Sequence, residues 1–381
     1  MAQPGQAEPE PDGTHIAVIG GGISGLSVAF ELLKNGHEVA VYCDEKQHPS
    51  ASAAALAYLE PRPGTGRLRE LEHAALVAWP DLAREVADIS GLETGFAQVG
   101  MVRLGFAYEQ DALRTLFAQH EESGFSPNWL TESDVYELTN AQPEGHLLGY
   151  VLPKIAQVEA RYMCAALRAA IAALFGQVVD ATRISAVQRD SKGRFVLQAG
   201  EQQFFADKIV VAAGFGALDI NGLASVLPNP RPVRGVSLEF RSPVPLTRHP
   251  ILKRGNLTIC SFGRSVFVGA THEEGEARTE VADQVVAALS EEATELWPEI
   301  AGMERVIVRS GVRAPIGDGL LNLGRLADHP DFYYSLSHAG AGFLRAPIIA
   351  RELARMILGA SLTDMYIEPF FRELRTEKTT S

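Results

Sequence analysis

The 381-residue sequence has little cysteine, no long apolar run and no cluster of positive charge, and each absence excludes a class of protein. Its cysteines are Cys43, Cys164 and Cys260, without a C-x-x-C spacing. This set excludes a disulfide scaffold, predicts no metal site and suits the reducing cytoplasm, where we expect the protein to be. No apolar stretch approaches the ~18 residues that span a membrane, so no membrane insertion is expected. The net charge is -13, and without a run of Lys or Arg no nucleic-acid partner is expected.

The residues that are present predict an ordinary globular protein. Hydrophobic residues make up 46% of the chain and charged residues 21%, as in globular proteins generally. A chain of this length can bury a substantial core, and we expect two domains. The first thirteen residues, MAQPGQAEPEPDG, are polar and rich in Pro and Gly. They are predicted to form a disordered tail over residues 1–13.

Glycine forms the clearest motif. Gly20, Gly22 and Gly25 give the spacing G-x-G-x-x-G between the apolar run His15–Ile19 and a predicted amphipathic helix, Ile23–Lys34. The first glycine permits a tight turn, the second lets backbone approach phosphate, and the third allows close helix–strand packing. The helix N-terminus offers free N–H groups to a pyrophosphate. Because a second apolar strand follows, this unit predicts a dinucleotide site.

Hydrophobic periodicity indicates strands and helices along the rest of the chain. Further helices are predicted at Arg69–Ala87, Arg161–Phe175, Thr279–Leu289 and Pro347–Leu358. Further strands are predicted at Val39–Tyr42, Phe96–Phe106, Gly149–Leu152, Gln177–Val179, Ile184–Arg189, Arg194–Ala199, Gln203–Phe205, Lys208–Gly214, Ser237–Arg241, Leu257–Ser261, Ser265–Gly269, Arg305–Arg313 and Phe332–Ser337. This order predicts a nucleotide domain in several pieces, with sheet-rich insertions between them.

Four motifs in a fixed order carry a family resemblance over residues 14–360. The early strand–helix–strand unit is followed by KIVVAAG (208–214), SGVRAPIGDG (310–319) and SLSHAGAGFLRAP (335–347). Together they resemble the D-amino-acid oxidase and glycine oxidase family of FAD-dependent oxidoreductases. The segment VYCDEKQHPSASAAALAYLEP (41–61) is similar to the one that passes beneath the flavin in that family. The chain also resembles the oxidase half of a bifunctional enzyme that modifies carboxymethylaminomethyl-uridine in tRNA.

This resemblance implies an α/β fold in which a Rossmann-type FAD-binding domain is interleaved with a sheet-rich α+β substrate domain. The FAD-binding domain is expected to comprise residues 14–90, 150–230 and 306–375, and the substrate domain residues 91–149 and 231–305. Sarcosine oxidases, which share the fold, attach flavin to a cysteine in the late strand. Because the corresponding region here has no thiol, FAD is expected to bind without a covalent bond.

The resemblance also implies which residues contact FAD. The usual position of the ribose-binding acid falls on Cys43, and the resemblance assigns that role to Asp44, with a solvated loop charge as the alternative. The late loop implied to face the flavin pyrimidine ring begins at His338, and Ile184 matches a position whose backbone contacts adenine. The full implied set is Gly20, Gly22, Ile23, Ser24, Gly25, Cys43, Asp44, Ser50, Ser52, Ala53, Ala54, Ile184, Gly214, His338, Gly340, Ala341, Gly342, Phe343 and Leu344.

Four residues are implied to form the substrate site. Arg313 stands at the position of the family's carboxylate-binding arginine, since a guanidinium can hold a carboxylate through two parallel hydrogen bonds; the alternative is an internal ion pair. Thr258 stands where the family usually has a tyrosine that helps to bind the substrate carboxylate. Gly340 replaces an arginine of glycine oxidase. Because both replacements are smaller, a substrate larger than glycine is expected. Tyr58 and Arg62 follow the flavin-facing segment and are assigned either to polar substrate contacts or to the surface and packing.

These residues imply an FAD-dependent oxidase of an amino acid or N-substituted glycine. Hydride would pass from Cα to flavin N5, the resulting imine would hydrolyse, and O2 would be reduced to H2O2. Cleavage of an N-carboxymethyl amine to glyoxylate and a free amine is favoured. Two alternatives stay open, a dehydrogenase of the same fold with another electron acceptor and a flavin-binding subunit without turnover. A homo-oligomer is compatible with the sequence.

Overall fold

The computed structural model describes residues 14–44, 50–139, 147–246, 249–316, 321–338, 340–363 and 365–375. The predicted tail, residues 1–13, lies outside them. The described helices are α1 (Ile23–Lys34), α2 (Arg67–Ser90), α3 (Gln110–Glu122), α4 (Glu132–Thr139), α5 (Ala160–Ala173), α6 (Asp283–Leu296) and α7 (Gly342–Ile357). None of the helices in these ranges combines the length and apolar character needed to cross a membrane.

The described strands form two large sheets and two small ones. They are β1 (His15–Ile19), β2 (Glu38–Tyr42), β3 (Tyr58–Leu59), β4 (Met101–Phe106), β5 (Asn128–Trp129), β6 (Leu147–Leu152), β7 (Ala156–Gln157), β8 (Gln177–Val179), β9 (Ala186–Arg189), β10 (Phe195–Ala199), β11 (Gln202–Ala206), β12 (Lys208–Val211), β13 (Val233–Arg241), β14 (Ile251–Arg254), β15 (Leu257–Phe262), β16 (Ser265–Gly269), β17 (Glu273–Glu274), β18 (Glu304–Arg313), β19 (Asn322–Leu326), β20 (His329–Ser337) and β21 (Phe371–Leu374).

A seven-stranded sheet, ordered β21-β19-β20-β12-β1-β2-β8, carries the nucleotide-binding motif. Its central pairs are parallel, and strands in such a sheet are buried on both faces. In β1, Ile16 and Val18 pack into a core shared with α1 and α7. Ala17 and Ile19, pointing the other way, pack against the antiparallel strands β9–β11. The period of two along β1 therefore places a helical layer on one face and a small sheet on the other.

A nine-stranded sheet lies beside this assembly, with β13, β16, β15, β14 and β4 at its centre. One face buries Leu238, Val268, Ile259 and Leu252 in a core that includes residues of α6. The opposite face, here called the site face, carries a row of residues that are paired with one another across neighbouring strands. From β13 to β4 the row is Ser237, Gly269, Thr258, Lys253 and Arg103.

Segment 50–59 runs over the site face and joins it to the nucleotide sheet. The Ser237 hydroxyl donates to the carbonyl oxygen of Ala54 at 2.8 Å. A Cβ at Gly269 would lie 2.7 Å from Leu56, and one at Gly311 would lie 2.8 Å from Ala51. Glycine at both positions therefore lets the segment lie directly on β16 and β18.

The helix α7 begins five residues before its predicted start at Pro347. Proline lacks an N–H group, so in the interior of a helix it leaves the carbonyl four residues earlier without its usual donor. That carbonyl belongs to Phe343, and the Trp79 indole N–H donates to it at 3.1 Å. The partner comes from α2, which is distant in sequence, so the pattern around Pro347 alone did not reveal it.

Other predicted elements agree to different degrees with the structure. The bounds of β1, α1 and β8 are those predicted, whereas α6 runs over Asp283–Leu296 instead of Thr279–Leu289. The elements α3, α4, β14, β19 and β21 were not predicted. The division into two interleaved domains stays a proposal. That division places residues 306–313 of β18 in the last FAD-binding segment, whereas β18 hydrogen-bonds to β13 of the nine-stranded sheet.

Candidate active site

The glycine motif forms a tight cradle between β1 and α1. Gly20 has φ +122°, and a Cβ there would overlap the Ala212 carbonyl of the segment after β12. A Cβ at Gly25 would overlap the Gly20 carbonyl, and one at Gly22 would lie 3.0 Å from the Ser52 hydroxyl. The Ile23 N–H, at the start of α1, donates to the Ser52 Oγ at 3.0 Å. This cradle fits a pyrophosphate, which needs a close approach of the backbone and a helix N-terminus.

The two residues after β2, Cys43 and Asp44, differ in their hydrogen bonding. The Cys43 thiol donates to Asp180 and accepts from Arg168, each at 3.3 Å, and burial raises the pKa of that thiol to about 11. The Asp44 Oδ1 atom is buried and has no hydrogen-bond partner among the described residues. A buried acceptor without a donor is costly, and two ribose hydroxyl groups would supply donors. The cradle and this acceptor together fit the adenosine end of FAD.

His338 ends β20 and faces the start of α1. Its Nε2 atom hydrogen-bonds with the Ser24 hydroxyl at 2.7 Å and with Ser335 at 3.3 Å. Burial, with a smaller contribution from Arg345, lowers the pKa of His338 to about 3. The ring is therefore neutral at physiological pH. A Cβ at Gly342 would lie 3.6 Å from Ile23, so the N-termini of α1 and α7 meet beside this histidine.

A buried ion pair between α2 and α7 holds the loop after His338. Arg345 and Glu72 are both fully buried, and the Arg345 Nε donates to the Glu72 Oε1 at 3.0 Å. Another guanidinium nitrogen, Nη1, donates to the His338 carbonyl at 2.6 Å. The second Glu72 oxygen accepts the backbone N–H of Arg62 at 2.8 Å. Sequence reasoning missed this pair, although an arginine within the apolar run GFLRAPII was its signal.

Arg313 lies at the end of β18, between two glycines. A Cβ at Gly235 would overlap its guanidinium, and one at Gly340 would lie 3.8 Å from its Cδ. Its Nη1 makes a long hydrogen bond, 3.4 Å, to the Thr271 carbonyl. No carboxylate among the described residues pairs with Arg313. The alternative role for this residue, an internal ion pair, therefore has no partner among them. Burial lowers the pKa of Arg313, and nearby Tyr58 opposes that shift.

Thr258 and Tyr58 lie around a lysine that sequence reasoning missed. Thr258 is 1% exposed, its Oγ1 has no partner among the described residues, and it faces Lys253 across the β14–β15 pair. The Lys253 Nζ donates to the Tyr58 hydroxyl at 2.6 Å and lies 3.4 Å from the Glu60 Oε2. A lysine inside the apolar run PILK was the available signal. Arg62, by contrast, is exposed.

The remaining predicted FAD contacts lie around these groups. Ile184 is 4% exposed and packs in the core on the β9–β11 face of the large sheet. Gly214 has φ +56° and opens a short 3-10 helix that follows β12. Ala341 precedes α7, and Phe343 and Leu344 are buried in its first turn. Ser50 and Ala53 form the turn of segment 50–59, where the Ala53 N–H donates to the Ser50 carbonyl at 3.0 Å. Their contacts with FAD stay predictions.

Comparison with known proteins identifies the family. Residues 15–356 match the DAO family, described as FAD dependent oxidoreductase. The chain belongs to this family. The predicted family, fold and cofactor are therefore confirmed, and the chain is an FAD-dependent oxidoreductase of the glycine oxidase type.

Three proteins illustrate the similarity to other members of the DAO family. The chain is 28% identical to glycine oxidase of Geobacillus kaustophilus over 90% of this chain and 92% of that protein. A crystal structure of glycine oxidase from that organism has a TM-score of 0.84 at 26% identity, covering 94% and 98% of the two chains. Iminodiacetate oxidase of Chelativorans sp. BNC1 shares the fold, with a TM-score of 0.84 at 21% identity, covering 95% and 100%. A bifunctional tRNA 5-methylaminomethyl-2-thiouridine biosynthesis protein of Caulobacter sp. is 27% identical over 93% of this chain and 56% of its own length.

Proposed function

We propose that this member of the DAO family is an oxidase of amino acids or N-substituted glycines that releases H2O2. The observation that supports this most directly is Arg313, a half-buried guanidinium between Gly235 and Gly340 with no carboxylate partner among the described residues. A guanidinium in such a place can hold a substrate carboxylate through two hydrogen bonds. The names of the similar proteins, glycine oxidase and iminodiacetate oxidase, agree with a substrate that carries an amine beside a carboxylate.

The side chains of the site bind and orient the substrate. Bound FAD supplies the two-electron acceptor that protein side chains lack. Arg313 fixes the carboxylate, and fixing it limits the positions open to the neighbouring Cα–H bond. A Cβ at Gly340 would contact only Arg313 among the described residues, so this side of Arg313 is the place proposed for a substituent on the amine. Loss of hydride from Cα and of the proton on nitrogen would give an imine, and its hydrolysis would give glyoxylate and a free amine when the oxidised group is N-carboxymethyl.

A peroxide assay with glycine, sarcosine, D-alanine and N-carboxymethyl amines tests the proposal. We expect turnover of at least one N-substituted glycine, and Arg313→Gln should lower kcat/KM on the order of 100-fold, since two charged hydrogen bonds are lost. Arg305→Gln, at an exposed position of the same strand, is the matched control. An Arg313→Gln enzyme as active as the Arg305→Gln enzyme would refute the assignment of the carboxylate site.

Anaerobic titration distinguishes the oxidase from the two alternatives, a dehydrogenase and a flavin-binding subunit without turnover. If the substrates bleach bound FAD but no peroxide forms in air, the protein is a dehydrogenase with another acceptor. If none of them bleaches the flavin, the oxidase proposal fails and a subunit without turnover is favoured. We further propose that FAD is held non-covalently, because no cysteine occurs in the motifs of residues 310–319 and 335–347. Acid precipitation should therefore release all of the flavin into the supernatant.

A further inference from the structure

At the β14–β4 part of the site face lies a buried group of charges, here called the Glu60 cluster, made of Glu60, Arg103, Lys253 and His120. The Glu60 Oε1 accepts from the Arg103 Nε at 2.9 Å and lies 3.7 Å from the His120 Nε2. The other oxygen, Oε2, lies 3.4 Å from the Lys253 Nζ. The side chains of Glu60, Arg103 and Lys253 are 5%, 12% and 9% exposed. One carboxylate is thus shared by the guanidinium of Arg103 and the ammonium of Lys253.

The charge of this cluster does not balance. Burial alone would raise the pKa of Glu60, but Arg103, His120 and Lys253 outweigh it and lower that pKa to about 2. Glu60 therefore supplies one negative charge, whereas Arg103 and Lys253 supply two positive charges. An uncompensated buried charge is expensive unless a ligand or a counter-ion neutralises it. Arg313 is a second cation without a described carboxylate partner.

Tyr58 connects these two unbalanced positions. Its hydroxyl lies 2.6 Å from the Lys253 Nζ, and the ammonium group lies 4.0 Å from the centre of its ring. It is also close enough to Arg313 to oppose the lowering of the pKa of that residue by burial. The Thr258 Oγ1, opposite Lys253 on the site face, is a buried hydroxyl oxygen with no described partner. A polar atom without a partner therefore lies next to the unbalanced lysine.

We propose that the substrate carries two carboxylates, one bound by Arg313 and the other by Lys253 with the hydroxyl groups of Tyr58 and Thr258. A dianionic ligand would neutralise both unbalanced cations, whereas a monocarboxylate would leave one uncompensated. The inference rests on the proposed oxidase function and narrows its substrate to secondary amines flanked by two carboxylates, such as N-carboxymethyl amino acids. For these, substrate, O2 and water give glyoxylate, a free amino acid and H2O2, so that two electrons and two protons pass to O2.

Two substrates of similar size test the second carboxylate site. Iminodiacetate and N-ethylglycine differ chiefly in a carboxylate that replaces a methyl group. We expect wild-type kcat/KM to favour iminodiacetate by 10-fold or more. Lys253→Met should reduce that ratio towards one, mainly by raising KM for iminodiacetate. Lys154→Met, at an exposed position, is the matched control and should keep the wild-type ratio.

Tyr58→Phe provides a second variant, since it retains the ring and removes only the hydroxyl. It should lower the same ratio by less than Lys253→Met does. In both variants Glu60 keeps its ion pair with Arg103, so we expect both variants to fold.

The outcomes distinguish this inference from the proposed function. Equal wild-type kcat/KM for the two substrates overturns the second carboxylate site and leaves the oxidase proposal standing. A wild-type preference that Lys253→Met does not reduce overturns the role of Lys253. If neither substrate reduces the flavin anaerobically, calorimetry with iminodiacetate decides the second carboxylate site, and the oxidase proposal is decided separately by the titration with glycine, sarcosine, D-alanine and N-carboxymethyl amines. Weaker binding of iminodiacetate to Lys253→Met than to the wild type supports the second carboxylate site. If iminodiacetate does not bind to the wild type, that site is overturned.

Discussion

The buried pair Arg345–Glu72 is predicted to stabilise both the fold and the cofactor loop. Both side chains are fully buried, and removing one partner of such a pair leaves a charge without compensation, which costs about 3–5 kcal/mol. We therefore expect Arg345→Met and Glu72→Gln each to lower the free energy of unfolding of the holoprotein by about that amount. The double variant should be destabilised by much less than the sum, because replacing both charges removes the desolvation cost of each.

The pair should also affect FAD, because Arg345 holds the His338 carbonyl and Glu72 holds the Arg62 N–H. The double variant keeps an acceptor for Arg62 but lacks the donor to His338, so its FAD affinity should stay weakened although its stability recovers. Urea unfolding gives the free energies, and release of fluorescent flavin on dilution gives the affinity. Arg351→Met, at an exposed position of α7, is the control. Single variants that cost less than about 1 kcal/mol, or a double variant equal to their sum, would refute this reasoning.

Two further predictions concern single residues of the candidate FAD site. Asp44→Ala should weaken FAD binding roughly 10-fold or more, because hydrogen bonds to a charged acceptor contribute about 1.5–3 kcal/mol each. Asp180→Ala removes a neighbouring carboxylate bonded to Arg168 and should keep the flavin content, measured by absorbance after gel filtration; equal loss in both variants would contradict the ribose role. Because burial lowers the pKa of His338 to about 3, the unfolded chain binds a proton below pH 6.5 that the folded protein does not. Stability should therefore fall by about 1.4 kcal/mol per pH unit as pH decreases from 6.5 to 4.5, and His338→Gln should remove that slope in urea titrations; an unchanged slope would show that another group causes it.

Local sequence patterns predicted the parts of the fold that local physics controls. The bounds of β1 and α1 follow from an apolar run, the glycine turn and the pair Asn35-Gly36, which comes directly after the last residue of the helix; all three lie within about twenty residues. Short or polar elements such as α4 and β21 were missed, since their stability depends on the surfaces that cover them. The start of α7 depends on Trp79, whose indole bonds to the carbonyl that Pro347 leaves without its usual donor.

The residues of the candidate site also divide into those that the sequence predicted and those that depend on tertiary packing. Arg313 and the cradle glycines stand in motifs with a fixed spacing, and the sequence by itself was enough to place them together in one family pattern. The resemblance to that family also assigned Thr258 to the substrate site. Lys253 and Glu72 lie outside these motifs, and Glu60 and Arg345 lie within segment 41–61 and motif 335–347 but were given no role there. The partners of these charges lie far away along the chain; Glu72 and Arg345 are separated by 273 positions. Only tertiary structure decides which charges are buried and paired, because burial depends on all the elements that pack around them. The sequence therefore determined the family, the cofactor and the order of the motifs. The tertiary structure decided which cations lack a counter-charge, and from these the proposed substrate class follows.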